Sequence, residues 1–120
     1  MLPSAHRIRS SDQFGLAVRR GVRAGKSTMV VHLASNAEAP DAPPSVGFVV
    51  SKAVGNAVTR NLVKRRLRAI TRERLPRLTP GELLVVRALP HASLASFDQL
   101  GQDFDRLLVT CQHKKAKVRS

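Results

Sequence analysis

Arg60, Lys64, Arg68 and Arg72 stand at intervals of four, with Asn61 and Arg65 beside them. On a helix turning about 100° per residue, these six side chains fall on one arc. Like charges four apart repel by roughly 0.2–0.5 kcal/mol per pair in an isolated helix, and Glu73 is the only acid nearby. Such a row suits a polyanion, whose phosphates release condensed counterions when protein cations arrive. Arginine can grip a phosphate or a base edge with two parallel hydrogen bonds. Asn61 can donate and accept at once. Opposite them Val58, Leu62, Val63, Leu67, Ala69 and Ile70 form an apolar arc turned toward a core. Arg66 falls on that side too, where its stem can lie along apolar surface while its head reaches water.

The remaining composition narrows the chemistry. The 120 residues hold 21 Lys and Arg against 8 Asp and Glu, a formal net charge of +13. The signs are not interleaved as on an ordinary solvated surface, so the expected partner is a nucleic acid. Cys111 is the only cysteine, which excludes an intrachain disulfide. His6, His32, His91 and His113 are scattered and lack zinc-ligand spacing. The acids Asp12, Glu38, Asp41, Glu73, Glu82, Asp98, Asp103 and Asp105 are dispersed. A protein-only nuclease would need them clustered around metal, and no general base stands out. No stretch approaches the ~20 apolar residues needed to span a bilayer. No apolar run follows the first positive charges either, so no signal peptide is expected and the expected location is cytoplasmic.

These positions need a scaffold. We expect one domain over residues 1–112 and a basic disordered tail over 113–120, carrying Lys114, Lys115, Lys117 and Arg119. Ser10 and Gln13 form a capping box for a short helix over 12–20, with Phe14, Ala17 and Val18 on one side and Gly21 at its end. Residues 28–34 predict a strand with Met29, Val31 and Leu33 on one face, Val30 and His32 on the other. Residues 35–45 contain three prolines and predict a loop. The apolar run 46–51 predicts a strand buried on both faces. A turn over 52–56 leads into the basic helix over 58–75, which Pro76 stops. Residues 83–89 predict a third strand, apolar except for Arg87. Ser96 and Gln99 then cap a final helix whose Phe97, Leu100, Phe104, Leu107, Leu108 and Cys111 recur at helical spacing.

The result is an α+β chain, a small αββαβα sandwich. Its strand–helix–strand unit implies a parallel pair joined by the basic helix. On these residues alone, another kind of RNA-binding module, such as a small ribosomal or assembly protein, fits the charge as well. A duplex-DNA reader fits less, because no helix-turn-helix partner precedes the basic helix.

The run Ser51-Lys52-Ala53-Val54-Gly55-Asn56-Ala57-Val58-Thr59-Arg60-Asn61-Leu62-Val63-Lys64-Arg65-Arg66-Leu67-Arg68 resembles the signature of the bacterial ribonuclease P protein family. Arg7-Ile8-Arg9 with Asp12-Gln13-Phe14 and Arg20-Gly21 resembles the family's first helix. Val46-Gly47-Phe48-Val49-Val50-Ser51 and Val85-Val86-Arg87-Ala88 resemble two of its strands. The resemblance implies a fold like domain 2 of ribosomal protein S5, with a left-handed crossover through the basic helix against the usual right-handed rule. It implies a holoenzyme that removes the 5′ leader of precursor tRNA. The active site would lie in the RNA subunit, with Mg2+ bound mainly by that RNA, and the protein would be a monomer in a 1:1 ribonucleoprotein.

By position, Arg60, Asn61, Lys64, Arg65 and Arg68 would meet the RNA subunit, with Arg72 continuing their row. Phe14, Val18, His32 and Lys52 would line a cleft for the leader between the first helix and the sheet. An aromatic ring can stack an unpaired base without demanding a sequence. Phe14 is equally suited to a core, and one ring can do both. His32 could instead be a satisfied polar residue on a strand face. Three residues depart from the family pattern: Leu62 where an Arg is common, Val18 where a second aromatic is common, and Ala53 where a second Lys is common. On the helical projection Leu62 turns to the core.

Overall fold

Alternation along residues 29–35 puts Met29, Val31 and Leu33 on one face of a strand and His32 and Ala34 on the other. That division decides which helices pack where. A computed structural model describes residue 8 and residues 11–119. Its elements are α1 (Ser11–Arg20), β1 (Val22–Gly25), β2 (Met29–Ser35), β3 (Ser45–Val49), α2 (Ala57–Arg74), β4 (Glu82–Ala88) and α3 (Phe97–Arg119). Short 3-10 turns occupy Lys52–Val54, Leu75–Arg77 and Pro90–Ser93.

The mixed sheet has the order β1-β2-β4-β3, with β3 parallel to β4 and the other pairs antiparallel. The parallel pair is the one that α2 connects, as the strand–helix–strand order requires. One face, with Met29, Val31, Leu33, Leu84 and Val86, packs against Val63, Leu67 and Ile70 of α2 and Leu100, Phe104 and Leu108 of α3. The opposite face, with Ala34, Leu83 and Val85, lies under Ala17 of α1, with Ile8, Phe14 and Leu16 around it. A polar clasp fixes α3 to the start of β2: Thr28 Oγ1 donates to Asp103 Oδ2 at 2.7 Å, and Gln99 Nε2 donates to Oδ1 at 2.9 Å. Ser96 Oγ accepts from Gln99 N at 3.1 Å, so half of the predicted capping box forms. Ser10 of the other box lies outside the described residues. No described helix is long and apolar enough to cross a membrane.

The structure corrects three expectations. The chain is αβββαβα, because β1 pairs with β2 from Val22↔Leu33 to Gly25↔Val30; four residues reading Val-Arg-Ala-Gly show no usable period. The strand at 46–51 is not buried on both faces, since β3 is an edge strand and Val49 is exposed. The strands buried on both faces are the two in the middle, β2 with no exposed residue and β4 with only Arg87 exposed. Residues 113–119 are not a disordered tail but the last turns of α3. Lys114 Nζ donates to the Arg23 carbonyl at 2.7 Å and Lys115 Nζ to Glu82 Oε2 at 2.6 Å. Polar contacts to the ends of the sheet hold these turns in place of apolar ones.

Candidate nucleic-acid interface

The basic helix is launched by two local devices. Gly55 adopts φ 156°, where a side chain is strained. Asn56 then caps α2, its side chain accepting from Thr59 N at 2.9 Å. From there α2 buries Val63, Leu67, Ile70 and Thr71.

That buried stripe is narrower than the predicted apolar arc and rotated from it. Val58 is 78% exposed and Leu62 38%, and Ala69 is exposed too. Leu62 therefore does not turn to the core; it stands on the outer surface between Asn61 and the arginines. The helix meets the sheet and α3 along one line only, so three positions of the arc have nothing to cover them.

The predicted cations do come together. Asn61, Arg65, Arg68 and Arg72 are exposed; Arg60 and Lys64 are half-buried on the same side. Arg65, Arg68 and Arg72 line a groove with Ala69 and Glu73, and Val58, Asn61, Lys64, Arg65 and Arg68 line another. Arg60 Nε is buried with no hydrogen-bond partner among the described residues. The other arginines of this region are engaged. Arg66 donates to the Ala95 carbonyl at 3.2 Å, holding its head at the core's edge. Arg74 donates through Nε and Nη2 to Asp105 and lies over the Phe104 ring at 5.9 Å, while Arg77 Nη1 reaches Asp105 at 2.9 Å. The hydrogen bond from Arg74 holds the Asp105 carboxyl below its usual range, and the same bond raises Arg74. The ion pairs among the described residues involve Arg74, Arg77 and Lys115, and none of the α2 row. Glu73 and Asp105 thus neutralise the structural arginines, and among the described residues the outer row is left open to a polyanion.

The other predicted residues lie across the sheet. Phe14 rests on the backbone of β3 at Gly47, where an added Cβ would collide with its Cζ. The same ring packs against the α1 core cluster, the core role foreseen for it. It lines a groove with Ile8, Val46, Gly47, Phe48, Lys64 and Arg68. This groove turns round the β3 edge and joins the α1 side to the basic helix. It is completed by Phe48 and Gly47 rather than by Val18, His32 or Lys52. Val18 is 46% exposed on α1, and Lys52 is exposed in the turn after β3.

His32 is only 2% exposed, and neither ring nitrogen has a partner among the described residues. Among the described residues nothing satisfies it as a polar residue of the strand face. Arg23 is its direct cross-strand neighbour, and Arg87 lies diagonally across on β4. Burial first, then Arg87 and Arg23, lower its pKa below 6.5. A histidine depressed this way stabilises the fold fully above its unfolded value, and that stability is lost as pH falls through the folded value. An NMR titration of the free protein should give a His32 midpoint below 6.5, moving upward when a polyanion neutralises the two arginines; a midpoint at or above 6.5 in the free protein would contradict this environment. Arg23 and Arg87 are not among the site residues that the sequence suggests. Arg87 was signalled as the one charge in an apolar run, whereas Arg23 lies in the strand that carries no period.

A family model described as Ribonuclease P matches residues 2–112. The chain is similar to the ribonuclease P protein component of Streptomyces avermitilis, 55% identical over 114 residues, which cover 90% of this chain and 93% of that one. It is also similar to that of Salinispora tropica, 45% identical over 133 residues and covering 98% of each. Among solved structures, the Staphylococcus aureus RNase P protein superposes with a TM-score of 0.77 at 25% identity, covering 88% of this chain and 94% of that one.

Proposed function

The chain belongs to the ribonuclease P protein family, whose members are part of a ribonuclease holoenzyme of tRNA processing, and from that premise we propose that its two surfaces hold two RNAs. The outer face of α2, with Arg60, Asn61, Lys64, Arg65, Arg68 and Arg72, binds the catalytic RNA subunit. The α1 side of the sheet receives the unpaired 5′ leader of precursor tRNA, with Phe14 in its groove, Val18 and Lys52 exposed beside it and His32 buried beneath. The observation that carries this reading is the selective pairing of charge: Glu73, Asp105 and Glu82 engage Arg74, Arg77 and Lys115, and among the described residues no ion pair reaches the α2 row.

The mechanism is positional. Two polyanions repel where substrate meets catalyst, and the protein supplies fixed cations there. The Phe14 ring offers a stacking surface that any base can use. Arg23 and Arg87 beside His32 would favour a phosphate over that strand. Among the described residues no three His, Cys, Asp or Glu side chains come together to hold a metal ion. In this reading Mg2+ is bound mainly by the RNA, which carries the active site. The protein acts as a monomer in a 1:1 cytoplasmic ribonucleoprotein. The left-handed sense of the crossover through α2, and likeness to domain 2 of ribosomal protein S5, belong to the same proposal.

The test compares cleavage of precursor tRNA by the RNA subunit alone and with the protein at low magnesium. Protein is expected to restore leader removal under those conditions and to do nothing without the RNA. No gain over RNA alone would sink the proposal.

A further inference from the structure

On its α1 side the sheet carries two adjacent rows that cross all four strands. One runs Gly47–Val85–His32–Arg23 and the other Val49–Arg87–Val30–Gly25, each residue the direct cross-strand partner of the next. Helix α1 lies on the first row at its β3 end, where Phe14 covers Gly47 and Val85 joins the Ala17 cluster. The second row is largely uncovered: Val49, Arg87 and Gly25 are exposed and Val30 is half-buried. Neither row contains an acid.

Both rows end at β1, an edge strand. There Arg23, Ala24, Gly25, Val30 and Lys114 line a groove. Lys114 belongs to α3, which packs on the opposite layer, and its Nζ reaches the Arg23 carbonyl at 2.7 Å. Lys26 is exposed in the turn just beyond. The far end of α3 thus brings a cation round the sheet edge to extend the α1 side. Three interstrand spacings of about 4.8 Å separate β3 from β1, roughly 14 Å, or about four nucleotides at a stacked rise of ~3.4 Å.

Resting on the leader reading above, we infer that the leader crosses the sheet along the exposed row and leaves over the β1 edge, where Arg23, Lys26 and Lys114 form a second phosphate site for its upstream part. The chemistry fits an unpaired strand. Cations at Arg87, Arg23, Lys26 and Lys114 meet phosphates, and the small or apolar Val49, Val30 and Gly25 between them leave room for bases to lie flat without reading sequence.

The experiment uses the protein reconstituted with ribonuclease P RNA and two precursor tRNAs. One leader ends within the width of the sheet, and the other continues several nucleotides beyond it. Lys26→Glu with Lys114→Glu should weaken binding of the long-leader substrate about tenfold and leave the short-leader substrate unchanged. Lys26→Glu alone, whose side chain makes no described hydrogen bond, should give a smaller loss of the same selectivity and shows that folding is not at issue. Equal losses on both substrates, or none on the long one, would overturn the exit site. Phe14→Ala separates this from the underlying reading. If it weakens both substrates while the lysine pair spares the long one, only the exit is wrong. If Phe14→Ala affects neither, the leader reading falls as well.

Discussion

Replacing Arg65, Arg68 and Arg72 together by alanine is expected to weaken binding of ribonuclease P RNA by about two to three orders of magnitude, with no loss of folding stability. The three side chains are exposed, line one groove and make no ion pair among the described residues. No stabilising interaction is therefore removed, and some like-charge repulsion along α2 is relieved. At a solvent-exposed site each hydrogen bond to a phosphate contributes a net of about 1–1.5 kcal/mol, and ~1.4 kcal/mol is tenfold in affinity. The salt dependence is the sharper readout. Each phosphate contact adds about 0.9 to the slope of log affinity against log salt, so the triple variant should lose between ~2 and ~3 from that slope. Lysine at the same three positions should keep most of the slope while losing the paired hydrogen bonds, leaving an intermediate affinity. An unchanged salt slope in the alanine variant would mean that this face does not meet the RNA.

Lys115→Met should destabilise the free protein by about 3 kcal/mol, a large share of the ~5–15 kcal/mol that holds a domain of this kind together. Lys115 Nζ lies 2.6 Å from Glu82 Oε2, with the two side chains only 15% and 5% exposed. Glu82 also accepts from Thr79 N at 2.7 Å through Oε1, which fixes the turn entering β4. Removing the ammonium leaves a carboxylate buried with one partner instead of two, and desolvation then weighs against the fold. Urea unfolding measures the loss. Adding Glu82→Gln should recover part of it, because the amide oxygen can still accept from Thr79 N and no charge is left buried. A loss under about 0.5 kcal/mol, the usual effect of a surface change, would return residues 113–119 to the status of a loose tail.

The two expectations differ in how they could be reached. The arginine row was legible because a helix of 3.6 residues per turn imposes a period that charge at 60, 64, 68 and 72 displays openly. The Lys115–Glu82 pair joins positions 33 apart and Lys114–Arg23 positions 91 apart, and no local pattern announces either. The basic tail looked like a solvated segment because its ordering comes from contacts with residues far away in the chain.

By itself the sequence determined what depends on period, punctuation and net charge. Those were the basic helix ending before Pro76, the apolar strand at 83–89 with its single arginine, the final helix behind Ser96, the α+β class and a polyanionic partner. A projection orders side chains around an axis but does not say how that axis is rotated against its neighbours. The tertiary structure alone decided that the buried stripe runs through Val63, Leu67 and Ile70, and that Leu62 faces outward among the arginines. It alone made β3 an edge and admitted β1, whose four residues gain their hydrogen bonds only by lying beside β2. The setting of His32 followed from the same pairing. Its two arginine neighbours come from strands on either side, and cross-strand adjacency is a property of the sheet's register, which is absent from the order of residues along the chain.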